Sequence, residues 1–555
     1  MMPSSLSVPM AALNRRVAWI ARNRVQLAII ALGIALRWSM RTNFDYRWSY
    51  DFEDHLRFIN WVATHFTLPD LNYTREAYHP PLYYFIVGTI RRLGAADSDL
   101  GTLSIVCGSL RLFVLWAVFA RWMGRASLAT GVALLVAAIQ PTSIHLDGMA
   151  SGEGLSNLEA ALAIWMVPPL FLNDPRSTAS TATLPWGRAL AFGVLLGLAL
   201  LTKVSALAII AALGIALVVR AGWLFRALWG TGDPAAWNAL RKLFLVWLVV
   251  ALAAASVAGW YCARNQRLHG KLFLSGFDGP DSELMQPLVK VPLLARRPAR
   301  YYVCWSSDIY RYPYYPSGVV PTSCFWPQLV ASSWVDFYRY GFSNGRGEGA
   351  LRTPIRQTAI ASVIGGTVLG VCAAATTMVL LLWSWRRRQA APLALLLMPV
   401  IALFGQMYFA TAFPIDGQGM VKGLYMQFAS PPLYATIGIA VAYLAASRPD
   451  RPLGVANEGR EVGRQGVKVP VCSLPVYGDR LLGLATGREG VQVPVWSLPV
   501  CGARLLALVL VAALALVGSY AVSCRFLPAP IVKPGGPAAV TAPILDLTIR
   551  PCTPA

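Results

Sequence analysis

Apolar residues in this chain fall mostly in long unbroken runs, separated by short polar or basic breaks. A run of about 20 apolar residues spans the hydrocarbon core of a bilayer, so these runs read as transmembrane helices. The first begins near Val25, reaches Ser39, and is preceded by Arg15, Arg16, Arg22 and Arg24. Further spans are predicted at 102–121, 126–142, 154–172, 188–202, 203–219, 243–262, 357–384, 392–413, 428–446 and 504–523. That makes about eleven.

Two elements in the first polar stretch, residues 41–100, show a different pattern. Over 52–66, Phe52, Leu56, Ile59, Val62 and Phe66 recur at helical spacing between polar residues, which predicts an amphipathic helix lying on the membrane plane. Residues 80–90 are apolar but too short to cross, and Arg91 and Arg92 follow them. This segment is expected to be interfacial or re-entrant. The expectation sets every later loop: the basic N-terminus and the clusters at Arg121, Arg220, Arg226, Arg241, Lys242 and Arg386–Arg388 then fall inside, as positive-inside bias requires.

Composition agrees with a membrane protein. The 555 residues are 56% hydrophobic and 13% charged, about half the charge of a soluble domain. A water-soluble enzyme is thereby excluded. The N-terminus lacks a small-residue cleavage site and is expected to be a retained first span. The net charge of +22 sits between apolar runs and suits anionic headgroups, with no basic stripe for nucleic acid.

The chain divides into a transmembrane module at 1–263, an aromatic-rich outside loop at 264–356 and further spans at 357–446. A basic connector follows at 447–503, then a last span and outside tail at 504–555. A 19-residue repeat, at 466–484 and again at 490–508, fits a local duplication. On the outside, disulfides are expected for Cys304–Cys324 and Cys524–Cys552, with free thiols as the alternative; Cys107, Cys262 and Cys372 serve as small apolar residues.

The same outside face collects ionisable residues. Asp51, Asp54 and His55 follow the first span, Asp51 and His55 sharing a helix face. Crowded carboxylates suit a general base, while Asp51 at a helix start equally suits capping. Asp147 and Glu153 are expected at the mouth of the next outside turn, with Glu159 inside a span. Lys203, in a tight break, can neutralise a carboxylate or hold a phosphate. Arg264, Arg267, His269 and Lys271 close the span before the large loop.

These segments resemble a known family. Residues 50–88, with Asp51, His55 and HPPLYY at 79–84, resemble the first periplasmic loop of GT-C-fold glycosyltransferases that use polyprenyl-phosphate sugars. Protein O-mannosyltransferases and the lipid A aminoarabinose transferase are among them. SGEGL at 151–155, GLALLTK at 197–203, WYCARNQRLHGK at 260–271 and MVKGLYMQFASPPL at 420–433 resemble later family segments in the same order. The resemblance covers roughly residues 20–446. It implies an all-α GT-C-type bundle in a bacterial inner membrane, with a cytoplasmic N-terminus and a periplasmic active site.

By the resemblance, Asp51 is the base, with Asp54 as rival because Glu53 does not directly follow Asp51. Glu153 is the second acidic residue. His79, Lys203, Arg264 and Arg267 would hold the donor phosphate, and His55, Tyr83, Lys422 and Tyr425 would touch substrate. His79 stands where many members carry Lys. The implied partners are membrane lipid, a polyprenyl-phosphate sugar and a glycan, lipid or protein acceptor. No cofactor is required, though two acidic loops can hold a divalent metal. The competing class is a lipid or anionic-solute transporter, against which stand the absence of an internal duplication of the membrane region and of an evident pair of broken helices.

Overall fold

The computed structural model describes residues 7–43, 47, 49, 51–171, 184–279, 290–311, 313, 324–335, 353–414, 421–446 and 509–520. Among these the fold is helical throughout, with no strand. The protein is an all-α, multi-pass membrane protein. The repeat at 466–508 and the cysteines 524 and 552 lie outside the described residues.

The chain opens with α1 (Ser7–Asn43), α2 (Phe52–His65) and α3 (Leu82–Arg92). The N-terminal half continues with α4 (Thr102–Met123), α5 (Leu128–Ile139), α6 (Pro141–Asp147), α7 (Glu153–Met166) and α8 (Trp186–Thr202). Then come α9 (Ala206–Thr231) and α10 (Pro234–His269). Short α11 (Arg300–Val303) and α12 (Phe325–Trp334) precede α13 (Thr353–Arg386), α14 (Ala390–Ala412), α15 (Pro431–Ala446) and α16 (Val509–Tyr520).

Local chemistry sets several of these ends. At the start of α5, the Ser127 side chain accepts from the Thr130 amide. Asp233 caps α10 ahead of Pro234, whose missing N–H costs nothing in a first turn. The same helix closes on Gly270 at φ 69°, a left-handed conformation that glycine adopts without strain.

Six helices among the described residues are long and apolar enough to cross a membrane, and two bent helix pairs bring the number to eight. The expected eleven also counted α7 and α8, which at 14 and 17 residues are shorter than a full span, and a last span at 504–523, of which only 509–520 are described. Hydropathy runs on through a break that the backbone makes.

The broken pairs correct the expectation that none exists. α5 and α6 meet at 55°, and a 3-10 turn, Gly423–Ala429, meets α15 at 77°. Pro141 cannot donate to the carbonyl four residues back, so Ala137 loses its helical partner. Arg37, from α1, donates to the carbonyls of Ala137 and Ala138 at 3.3 and 3.2 Å. At the other break Arg111 donates to the Gln427 carbonyl at 3.1 Å and to Ser430 at 3.3 Å. Backbone freed inside a bilayer must find such partners.

Arg37 also meets Asp147 at 2.7 Å with both side chains fully buried, and Arg111 donates to Ser143 at 2.9 Å. Asp147 is therefore not at an outside mouth as the sequence suggests. It belongs to an internal staple joining α1, α4 and α6 to the turn before α15. Gly108 makes room for it: a Cβ there would stand 2.7 Å from the Asp147 Cβ and closer still to its carboxylate.

The two helices of the first polar stretch are where the pattern puts them. α2 packs Phe58, Ile59 and Val62 against Tyr83, Tyr84 and Val87 of α3. Gly88 permits this approach, since a Cβ there would lie 2.8 Å from Val62. α3 does not cross the bundle. Arg91 at its end pairs with Asp97 at 2.7 Å, and neighbouring Asp99 pairs with Arg41 at the end of α1. The C-terminal end of α3 therefore lies beside the C-terminus of α1 and the N-terminus of α4. Across the first loop of the 264–356 region, Cys304 and Cys324 form a disulfide. Cys107, Cys262 and Cys372 are free, buried or half-buried thiols.

Candidate active site

At the end of the bundle covered by α2 and α3, five chain segments bring ionisable side chains together. They are the start of α2, the turn at residues 74–79, the α6–α7 and α8–α9 junctions, and the turn before α15. Asp51 occupies the N-cap position of α2 with φ 49° and ψ 33°, yet its side chain makes no capping hydrogen bond. A left-handed aspartate carries some backbone strain, and such strain clusters at functional sites. Of the two roles open to Asp51 from spacing, capping is not the one it performs. Asp54 is otherwise engaged: Thr74 donates to its carboxylate at 2.7 Å.

Glu76 was not among the residues singled out from the sequence. It is buried, meets Nε2 of His79 at 2.6 Å and lies 4.0 Å from Nε2 of His55. On its other side His55 shares a 2.7 Å hydrogen bond, through Nδ1, with the Tyr84 hydroxyl. The available signal was the i, i+3 spacing of Glu76 and His79, which puts two polar side chains on one face of a turn.

Burial sets the charges here. It pushes the Glu76 carboxyl up to about 7, with Asp51 and Asp54 adding to the effect and His55 and Lys422 opposing it. It holds the His79 imidazole down to about 3, and the Lys203 ammonium presses the same way against Glu153 and Asp51. His55 is lowered as well, again mainly by burial. Tyr78 and Tyr84 are raised by burial and by the nearby Glu76 charge. The two imidazoles are thus neutral at ordinary pH.

Lys203, at the end of α8, forms an ion pair with Glu153 at the start of α7. This is the neutralising role the sequence allowed. Lys203 also lies 5.5 Å from the ring centre of Tyr425, and Lys422 5.9 Å from the same ring. Two cations and one aromatic face stand beside three carboxylates (Asp51, Glu76 and Glu153), all of which act electrostatically on Tyr425.

The remaining expected residues divide. His55 is buried between Glu76 and Tyr84, within the cluster. Tyr83 is 1% exposed in the α2–α3 core, facing Gly152, and offers no surface to a substrate; Tyr84 takes the polar position instead. Arg264 is half-buried near the end of α10 and Arg267 exposed in its last turn. Their helix reaches the site through Tyr261, whose hydroxyl donates to the Tyr78 carbonyl at 3.2 Å. Neither arginine makes an ion pair with the cluster among the described residues. Glu159 lies deeper, accepting from Thr202 at 2.9 Å. Among the described residues no three His, Cys, Asp or Glu side chains converge as a metal-ligand set.

No protein-family model and no curated protein matches the chain. Among solved structures, it is similar to the apo oligosaccharyltransferase of Archaeoglobus fulgidus, at 12% identity and a TM-score of 0.43, over 91% of this chain and 56% of that one. The same archaeal enzyme, AglB, in complex with an inhibitory peptide and a dolichol-phosphate gives 13% identity, a TM-score of 0.43 and coverage of 92% and 57%. ArnT from Cupriavidus metallidurans bound to undecaprenyl phosphate gives 13% identity and a TM-score of 0.34, over 77% of this chain and 81% of that one. The chain thus spans little more than half the length of the archaeal oligosaccharyltransferase.

Proposed function

We propose that this protein is a membrane glycosyltransferase that moves a sugar from a polyprenyl-phosphate donor to a hydroxyl acceptor. One observation carries the reading: carboxylates and lysines from segments far apart in sequence meet around an aromatic ring, at the bundle end covered by α2 and α3. The order of family-like segments along the sequence supports it. In this reading that end faces the periplasm of a bacterial inner membrane and the basic N-terminus faces the cytoplasm.

The reaction is a single inverting displacement. The acceptor oxygen bonds to the anomeric carbon, and the bond from that carbon to the phosphate oxygen breaks, its electron pair staying with the phosphate. Asp51 takes the acceptor proton; it is exposed, makes no cap bond and faces the cluster, whereas Asp54 is held by Thr74. Lys203, with Lys422 and His79, balances the departing charge. Glu153 holds Lys203 in place, and Tyr425 offers a flat face for a sugar ring. Arg264 and Arg267 are left as phosphate contacts at the rim. Much of the rate would come from holding donor and acceptor in line.

The test is transfer by purified protein in detergent, given a panel of polyprenyl-phosphate sugars and hydroxyl acceptors. Asp51→Asn is expected to lower turnover by about a hundredfold or more. Wild-type turnover in that variant would remove Asp51 as the base.

The two broken helices favour a second reading, transport of a lipid or anionic solute, because discontinuous helices often build such sites. Here the broken ends are filled by Arg37 and Arg111 of the protein itself. Product formed without a sealed membrane separates the two, since a pure transporter makes none.

A further inference from the structure

Within this site, one pair has a geometry that the phosphate-holding role of His79 does not by itself require. Glu76 and His79 approach to 2.6 Å with both side chains largely buried. Beside Glu76 stand Asp51 and Asp54, two further carboxylates, with His55 and Lys422 opposing them. An isolated carboxylate in such a place is costly unless it is paired or carries a proton. His79 in turn faces Lys203, so a lone imidazolium there is disfavoured too. A neutral pair sharing one proton meets both constraints. Among the described residues no hydrogen bond occupies the other ring nitrogen, Nδ1.

We infer that Glu76 is a positioning residue that shares a proton with His79, so that the pair offers the Nδ1–H of His79 to the anionic end of the donor. The inference rests on the transferase reading above. With no anion bound, the proton sits on Glu76 Oε2 and is donated to His79 Nε2, which leaves the ring's one hydrogen on Nδ1. When a phosphate arrives, the proton crosses to Nε2. The pair becomes carboxylate and imidazolium, with no atom or charge gained or lost. A histidine can in this way stand where a permanently charged lysine would otherwise be needed, yet stay uncharged next to Lys203 until an anion is present.

Binding of undecaprenyl phosphate to the full-length protein in nanodiscs tests this, alongside sugar transfer. Glu76→Gln keeps the shape and a hydrogen bond but has no proton to give. It is expected to weaken binding about tenfold, the scale of a lost charge-assisted hydrogen bond. His79→Lys supplies a fixed charge and is expected to bind at least as well as wild type. In that background the further cost of Glu76→Gln is expected to fall below about threefold, since the residue acts through His79. Glu76→Asp, which restores an acid, is expected to recover part of the loss.

An equal cost of Glu76→Gln with His79 or Lys at position 79 would make Glu76 structural and overturn the inference. No cost in the wild-type background overturns it as well. If wild type does not bind undecaprenyl phosphate, the inference falls with the anion-holding part of the site. If the coupling appears but no sugar is transferred, the transferase reading fails and the Glu76–His79 assignment stands.

Discussion

Replacing Gly108 by alanine sets a local preference against a long-range one. Alanine in a helix interior is favoured over glycine by about 1 kcal/mol, so α4 considered alone would gain from the change. The fold predicts the opposite. The new Cβ would lie 2.7 Å from the Asp147 Cβ and nearer to its carboxylate, so that the three nearest atoms all belong to that one side chain. A carbon–carbon contact needs about 3.5 Å or more. Asp147 must therefore retreat by about an ångström or more, away from Arg37, which holds it at 2.7 Å in full burial. Depriving a buried charge of its partner costs about 3–5 kcal/mol, and overpacking alone costs about 1–3 kcal/mol. Partial relaxation leaves a net loss of about 2–4 kcal/mol after the helix gain is subtracted. Thermal unfolding of the purified variant, followed by tryptophan fluorescence in detergent, should show a Tm several degrees below wild type. Gly131→Ala is the control, because nothing lies within 4 Å of the Cβ it would add. A Gly108→Ala protein as stable as wild type, or more so, would refute the staple as a rigid element.

Two further outcomes follow from the site. Glu76 titrates higher in the folded protein than in the unfolded chain, so the folded state holds the extra proton and stability falls as pH rises toward about 7. His79 is shifted the other way, to about 3, so its contribution rises with pH up to its ordinary value near 6.5. Between about pH 4.5 and 6.5 the two oppose each other, and Tm should change little on their account. Glu76→Gln removes the falling part, so its Tm should climb with pH across that window; a flat profile would refute the opposition. Lys203→Ala should weaken undecaprenyl phosphate binding and lower Tm by leaving Glu153 unpaired. Adding Glu153→Gln should restore Tm but not binding, a split to be read from melting curves and binding isotherms on the same samples.

The candidate site was partly legible in the sequence. Glu153 and Lys203 each stand at the end of an apolar run and Asp51 follows the first run, so antiparallel packing of the runs carries them to one end of the bundle. α2 was legible because an amphipathic period is a local property, and α3 because 11 residues cannot span a bilayer. Glu76 was missed because a lone glutamate in a polar loop has no periodic or compositional mark. Its burial depends on α2 and α3 closing over it. Tyr83 and Tyr84 are adjacent and chemically identical, so only the packing of α3 against α2 assigns one to the core and the other to His55.

The sequence by itself determined that this is a helical membrane protein. It also marked two short helices within the first polar stretch, one of them amphipathic. Those properties follow from the length and period of apolar runs, and each is settled within a few turns of helix. The tertiary structure decided which charges are partners. Arg37 and Asp147 are 110 residues apart, and Lys203 and Glu153 are 50. Nothing in either local stretch says which will be paired internally and which will face a ligand. That choice is made by burial, because a charge removed from water must find its counterpart wherever the fold has brought one within reach.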